Sequence, residues 1–357
     1  MDTAQPIGLG FIGLGWPGEQ HSNTLEFCPE ARIAAACDLN EERREKYQAT
    51  YSPAAMYRGY DELLADPNVN AVVISLPNFL HFPATLAALQ AGKHVLCEKP
   101  PTLNLAEIET IRDEVRARQL TYAFGRQMRF GAEMLAAKHA VEQGRLGSIY
   151  YARAQWIRSR GIPLGVGGWF TEKSRAGGGA MIDIGVHALD AAWFLAGCPK
   201  PVSVSAQTGA HFASTLPADI RFDVDDSGFA FLRFEGGLAI HLETSWAMNL
   251  PEVGVTDIMN TTLFGEAATL QVKPSAIYTL DPATGKTMRE EPLVDEEIEL
   301  KGNHFSRQMA DFLRAVRTGT PPTNNIDQAV ELMRMLMAIY DSGSLGREVR
   351  FDQPKSA

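Results

Sequence analysis

The sequence predicts an α/β protein in two parts, the first built on a parallel sheet wound on both faces and the second on a large, mostly antiparallel open sheet. Three observations carry this. Apolar strand-like runs alternate with helix-like runs over the first third, period-two alternation takes over after residue 149, and 357 residues exceed what one ordinary core holds.

In order, IGLGFI reads as a buried strand and GEQHSNTLEF leads a helix from about 18 to 28. The strand ARIAAACD, a helix over 41–50, the strand NAVVISLP and a helix over 81–92 follow. HVLCEK, a helix over 104–118 and TYAFG complete the first part. In the second, SIYYARAQWI, PVSVSAQ, GFAFLRFEGG, GLAIHLETSW and the shorter TTLFG and ATLQV alternate as strands with one buried face. A helix is predicted over 179–196, and NHFSRQMADFLRAVRTG ends on the glycine that follows a helix C-terminus. The expected division is 1–125 and 126–357.

Apolar residues at 45% and charged residues at 21% fit a folded globular chain. A net charge of −10 with no basic run speaks against nucleic acid or anionic membrane as partner. The four cysteines are far apart, and Cys28, Cys37 and Cys97 fall in segments that read as buried, so reduced structural thiols are expected. With no leader-like start and no apolar run of ~18 residues, the expectation is a cytoplasmic protein.

IGLGFIGLGWPGEQH carries the spacing GxGxxG twice, as Gly8, Gly10, Gly13 and as Gly13, Gly15, Gly18. A phosphate loop must follow a strand and open a helix, where free N–H groups meet the pyrophosphate. Only the second frame has a full strand before it. Asp38 ends the next strand 20 positions after Gly18, where a carboxylate binds the adenosine ribose. A Rossmann dinucleotide-binding domain follows, with NAD preferred because Asp38 repels a 2′-phosphate. Arg43 and Arg44 lie close enough to soften that preference and leave NADP possible.

Open α/β sheets bind ligands at the carboxyl ends of their strands, and CEKPP ends HVLCEK there, bringing Lys99 to the edge. In AMIDIGVHALDAAWFL the ionisable groups are Asp183, His187 and Asp190, which α-helical geometry places within roughly 60° of one another. Such a stripe on an apolar helix faces either an internal network or a cleft. Gly177, Gly178 and Gly179, just before it, are expected to let substrate or cofactor approach.

With GLGWPGEQH, the stretch from DPNVNAVVISLPNFLH to CEKPPTL, GRQMRF and GGGAMIDIGVHALD, the chain resembles the Gfo/Idh/MocA oxidoreductases over nearly its whole length. The resemblance implies a nicotinamide-dependent redox step at a ring carbinol of a sugar, anhydrosugar or cyclitol. It also implies a second domain whose open sheet joins copies into homodimers or homotetramers. By position it makes Lys99, Asp183 and His187 the catalytic set. It places Gly13, Gly15, Trp16, Pro17, Gly18, Asp38, Leu76, Pro77, Asn78, His81, Glu98, Lys99 and Gln127 at the cofactor. The loop RSRGIPLGVGGWFTEKS resembles that of members acting on pyranosides and anhydrosugars.

His187 is the candidate base, Asp183 its orienting partner or the holder of a neighbouring hydroxyl, and Lys99 the stabiliser of alkoxide charge. Trp156, Arg158, Arg160 and Trp169, in or beside that loop, are substrate candidates together with Lys99, Asp183 and His187. No metal site is expected. Two other functions fit the same motifs: a glycoside hydrolase that recycles NAD through transient oxidation and elimination, and a cofactor-binding regulator without catalysis. The intact Lys99, Asp183 and His187 speak against the regulator.

Overall fold

The glycine-rich opening run is a fully buried strand, β1 (Ile7–Ile12), in the middle of a parallel sheet. A computed structural model describes residues 5–165, 167–251, 254–286, 288–293 and 301–352. After β1 come α1 (Trp16–Asn23), β2 (Ala31–Cys37), α2 (Glu41–Tyr51), β3 (Ala55–Tyr57), α3 (Tyr60–Ala65) and β4 (Ala71–Ile74). Then follow α4 (His81–Gln90), β5 (His94–Cys97), α5 (Leu105–Arg118) and β6 (Tyr122–Phe124). Among the described residues six strands form this sheet in the order β3-β2-β1-β4-β5-β6, so the winding reverses between β1 and β4. The crevice at that reversal is where doubly wound sheets take ligands.

Local chemistry sets the helix ends. Pro17 pre-sets the first turn of α1, which therefore starts at Trp16, before the expected residue 18, and tightens into a 3-10 turn over Thr24–Phe27. Asn40 and Asn104 cap α2 and α5 by accepting the N–H groups of Arg43 and Glu107. The short pair β3 and α3 was not expected from the sequence.

The second unit opens with α6 (Ala132–Glu142), β7 (Ile149–Arg158) and the single turn α7 (Lys173–Ala176). A π-helical turn over Met181–Gly185 runs into α8 (Val186–Leu195). The strands β8 (Pro201–Gly209), β9 (Ser227–Phe234), β10 (Ala239–Ser245), β11 (Asp257–Gly265), β12 (Thr269–Gln271), β13 (Ala276–Leu280) and β14 (Met288–Pro292) follow. The last elements are α9 (His304–Thr318), α10 (Ile326–Leu345) and β15 (Val349–Arg350). Nine of the described strands form a sheet in the order β14-β13-β12-β11-β7-β10-β9-β8-β15. Its pairs are antiparallel except β7 with β10. Val166, inside the loop expected to vary with substrate, lies outside the described residues.

The chain divides into residues 1–130 with 300–333, and 131–299 with 334–357. This departs from the expected division at 125/126, and most of all in α9, which belongs to the first unit. Met309, Phe312, Leu313 and Val316 of α9 are buried in one cluster with Ile7, Leu9, Phe11 and Tyr47. Burying a large apolar side chain stabilises by about 1.5–3 kcal/mol, so this face fixes where the helix docks. None of the four cysteines is disulfide-bonded, and burial pushes the thiols of Cys28, Cys37 and Cys97 up to about 12.

Candidate active site

In the first unit the second glycine frame forms the loop. Gly13 has φ +89°, and a Cβ there would lie 2.6 Å from the Ser75 carbonyl oxygen. A Cβ on Gly18 would lie 2.2 Å from the Gly13 carbonyl oxygen, so the strand-to-helix turn closes only without side chains. Around Gly15, the N-cap of α1, the nearest atoms to a built Cβ are Arg43 Nη1 at 3.8 Å and Pro17 Cδ at 4.0 Å. No side chain caps this helix, so its first-turn N–H groups remain for an anion. Trp16 is 64% exposed at the same turn, edge-on to Phe305.

Asp38 accepts the Leu14 N–H at 2.9 Å on Oδ2 and the Asn40 N–H at 2.8 Å on Oδ1. Each oxygen keeps a lone pair for a ribose hydroxyl. Arg43 Nη1 stands 3.7 Å from Oδ2, whereas Arg44 donates to the carbonyls of Asp38 and Leu39 and so braces the loop. A glycine cradle, an uncapped helix and a carboxylate at the second strand end fit a dinucleotide.

At the end of β4, Leu76 lines Gly13, Pro77 leads the turn and Asn78 is buried. Two residues expected to touch the cofactor are themselves held by protein groups. His81 places Nδ1 2.6 Å from the Pro100 carbonyl oxygen and Nε2 2.7 Å from that of Leu76. Burial draws its pKa below the usual histidine range, against the pull of the two carbonyls and Glu98. Glu98 takes His21 Nε2 at 2.8 Å on Oε1 and the Lys99 N–H at 3.1 Å on Oε2. Burial raises the Glu98 pKa, but His21, the Lys99 charge and its N–H together outweigh it and hold the carboxyl below its ordinary range. Lys99 lies two residues past β5. Gln127 opens a 3-10 turn, and its Oε1 is buried without a hydrogen-bond partner among the described residues. So is Ser75 Oγ beneath the glycine loop, a group that sequence reasoning missed.

In the second unit Asp183 lies in the π-helical turn, not in a regular α-helix. A Cβ on Gly185 would meet Met181 Sδ at 2.8 Å and Thr244 Cγ2 at 3.1 Å, so the helix lies tightly on β10 where it carries DIGVH. π-turns inside α-helices are frequent at functional sites. Trp246 Nε1 donates to Asp183 Oδ2 at 2.9 Å, while Asp190 is fully buried. The His187 ring is buried 5.3 Å from that of Trp156, whose Nε1 is buried without a partner among the described residues. Arg158 lies over the Trp156 ring at 5.3 Å.

Other expected residues are arranged differently. Trp169 stacks on Phe170 at 3.9 Å, and Phe170 rather than Trp169 packs on the cluster beside Trp156. Arg160 is committed to Asn249, the Ser159 carbonyl and the Phe212 ring. Two of the three glycines are needed for packing within the unit. A Cβ on Gly178 would lie 2.1 Å from Tyr340 Oη, and one on Gly179 would lie 1.7 Å from the Asp225 carbonyl oxygen. Asp225, also missed, caps the π-turn by accepting the N–H groups of Gly179 at 2.7 Å and Met181 at 2.9 Å, and Tyr340 donates to it at 2.7 Å. Burial keeps its carboxyl above the ordinary range despite these donors.

The model of the oxidoreductase family with NAD-binding Rossmann fold matches residues 7–126, and that of the GFO/IDH/MocA C-terminal domain matches 134–271. A D-glucoside 3-dehydrogenase of Escherichia coli is 29% identical over 97% of this chain and 98% of its own length. A trans-1,2-dihydrobenzene-1,2-diol dehydrogenase of Mus musculus is 30% identical over 68% of this chain and 69% of its own. In fold, a levoglucosan dehydrogenase in complex with NADH and levoglucosan superposes with a TM-score of 0.84 at 21% identity, covering 98% of this chain and 100% of that one. The chain belongs to the Gfo/Idh/MocA family of oxidoreductases, and its cofactor is NAD.

Proposed function

We propose that the protein is an NAD-dependent dehydrogenase of ring secondary alcohols that takes a pyranoside or anhydrosugar before a free cyclitol. One observation carries the reading: His187, on the apolar helix that also bears Asp183, packs 5.3 Å from the Trp156 ring, whose N–H is buried without a partner among the described residues. A base, an orienting carboxylate and an aromatic face with a donor to spare suit a ring of hydroxyls.

Bound NAD supplies the acceptor for the carbinol hydrogen and its electron pair. His187 takes the hydroxyl proton on a ring nitrogen, Asp183 fixes a neighbouring hydroxyl or the imidazole, and Lys99 Nζ offsets charge growing on the carbinol oxygen. Trp156 and Arg158 grip the sugar. Asp38 favours NAD over NADP, tempered by Arg43. The relatives named for a glucoside and a dihydrobenzene diol support a ring alcohol as substrate.

The open face of the nine-stranded sheet carries half-buried Tyr151, Phe229, Phe231 and Phe264, with Tyr151 5.3 Å from Phe264. This supports a homodimer or homotetramer joined through that face. Cys28, Cys37 and Cys97, buried and outside any disulfide, support a reducing, cytoplasmic setting. No described helix is long and apolar enough to cross a membrane.

The test is nicotinamide absorbance on adding NAD, then NADP, with a panel of pyranosides, anhydrosugars, free sugars and cyclitols. Reduced nicotinamide accumulating with the pyranosides or anhydrosugars is the expected result. An aryl glycoside cleaved only in the presence of NAD, with no net reduction, would replace the dehydrogenase by the NAD-recycling hydrolase.

A further inference from the structure

We propose that His21 and Glu98 are positioning residues for Lys99, a buried relay through which the helix of the glycine loop fixes where the lysine starts. The proposal rests on the reading of Lys99 as the group that meets the substrate oxygen. His21 is in α1 and Glu98 follows β5, 77 residues apart, yet His21 Nε2 lies 2.8 Å from Glu98 Oε1 with both side chains buried. A carboxylate held below its ordinary pKa only accepts, so the imidazole N–H donates to Oε1. The other oxygen accepts the Lys99 N–H at 3.1 Å.

The carboxylate has no room to move. A Cβ on Gly125 would lie 2.9 Å from Glu98 Oε2 and 3.0 Å from its Cα, so β6 leads into a glycine where the chain passes over Glu98. The Glu98 N–H is held by the Ile74 carbonyl at 2.9 Å, which extends the sheet by one residue. Beyond Lys99, His81 of α4 lies 2.6 Å from the Pro100 carbonyl oxygen. Lys99 is thus gripped on both sides, at its N–H through Glu98 and one residue later through His81. Neither Glu98 nor His21 needs to touch cofactor or substrate for this. Misplacing a reacting group by ~1 Å costs roughly 100-fold in rate, which is the scale such a grip protects.

The test combines two readouts. Pro100 and Pro101 have no N–H, so hydrogen exchange over residues 98–101 of the cofactor-free protein reports the amides of Glu98 and Lys99 alone. Glu98→Ala is expected to speed the Lys99 amide at least about tenfold, while Glu98→Gln, which keeps an oxygen for that amide, changes it by less than about threefold. Turnover of the panel's best substrate should fall about 10- to 100-fold in Glu98→Ala and His21→Ala and less in Glu98→Gln, which keeps one of the two acceptor oxygens, with NAD affinity within about threefold in each. In a Lys99→Ala background, Glu98→Ala should add nothing.

Gly125→Ala displaces the carboxylate without removing it and should act in the same direction, so the proposal stands open to refutation even where Glu98→Ala does not fold. Equal losses from Glu98→Ala with and without Lys99 would make Glu98 a general structural residue and overturn the proposal. Normal turnover in folded Glu98→Ala, with Lys99→Ala inactive, would overturn it as well. Normal turnover in Lys99→Ala would remove the functional reading of Lys99 beneath it, and only that outcome does so.

Discussion

The two units hold their polar chemistry by opposite means. In the first, the candidate cofactor loop is backbone: Gly13 and Gly18 leave no room for side chains, and Asp38 ties the loop through the N–H groups of Leu14 and Asn40. In the second, the candidate catalytic groups are side chains on an apolar helix, fixed by other side chains, with Trp246 on Asp183 and Asp225 with Tyr340 behind the π-turn. A backbone cradle fails when one methyl group is added. A side-chain constellation fails when one functional group is removed.

The largest expected effect is in the second unit. His187→Ala should lower turnover by ~10²- to 10⁴-fold while NAD affinity, measured by calorimetric titration, stays within about threefold. Near-normal turnover would remove His187 as the base. The reverse pattern is expected in the first unit. Gly18→Ala puts a Cβ 2.2 Å from the Gly13 carbonyl oxygen, and strain of about 1–3 kcal/mol should weaken NAD about 10- to 100-fold in a fluorescence titration. A variant that binds NAD as tightly as the parent would show that the turn can open.

A smaller effect separates support from chemistry. Trp246→Phe removes one hydrogen bond to a carboxylate, a contribution of about 1.5–3 kcal/mol, and should lower turnover about tenfold with NAD binding intact. If steady-state rates matched the parent's, Asp183 would be held without the indole. The smallest effect is on stability. Burial lowers the pKa of His94 below 6.5, and its Nδ1 accepts the Thr121 N–H at 2.9 Å as only the neutral ring can, so the unfolded chain binds more protons than the folded one as the pH falls. Stability in urea should be level above pH ~6.5 and decline below it, with Glu98 adding a further loss only in the acid range below the ordinary glutamate value of 4.5. A urea midpoint that rises between about pH 6.5 and 5 would contradict the burial of His94 in its neutral form.

Much of the first unit is legible because a parallel sheet writes its strands as apolar runs and its phosphate loop as fixed glycine spacing. The pair β3 and α3 escapes because AMY and YDELLA are each too short for a strand or helix period to show. In the second unit the stripe Asp183, His187, Asp190 is visible, but its geometry is not. The π-turn depends on how closely Gly185 meets Thr244 of β10, and the triple glycine fits against Asp225 and Tyr340, distant in sequence. Amphipathic spacing likewise shows that α9 buries a face, but not that the face belongs to the core of the first unit.

The most direct test follows the hydrogen itself. A pyranoside deuterated at its ring carbinols is incubated with the protein and NAD, and the products are weighed by mass spectrometry. The account predicts deuterium in the reduced nicotinamide, in equal amount to a keto-sugar. Deuterium retained in a cleaved sugar, with no reduced nicotinamide accumulating, would contradict it.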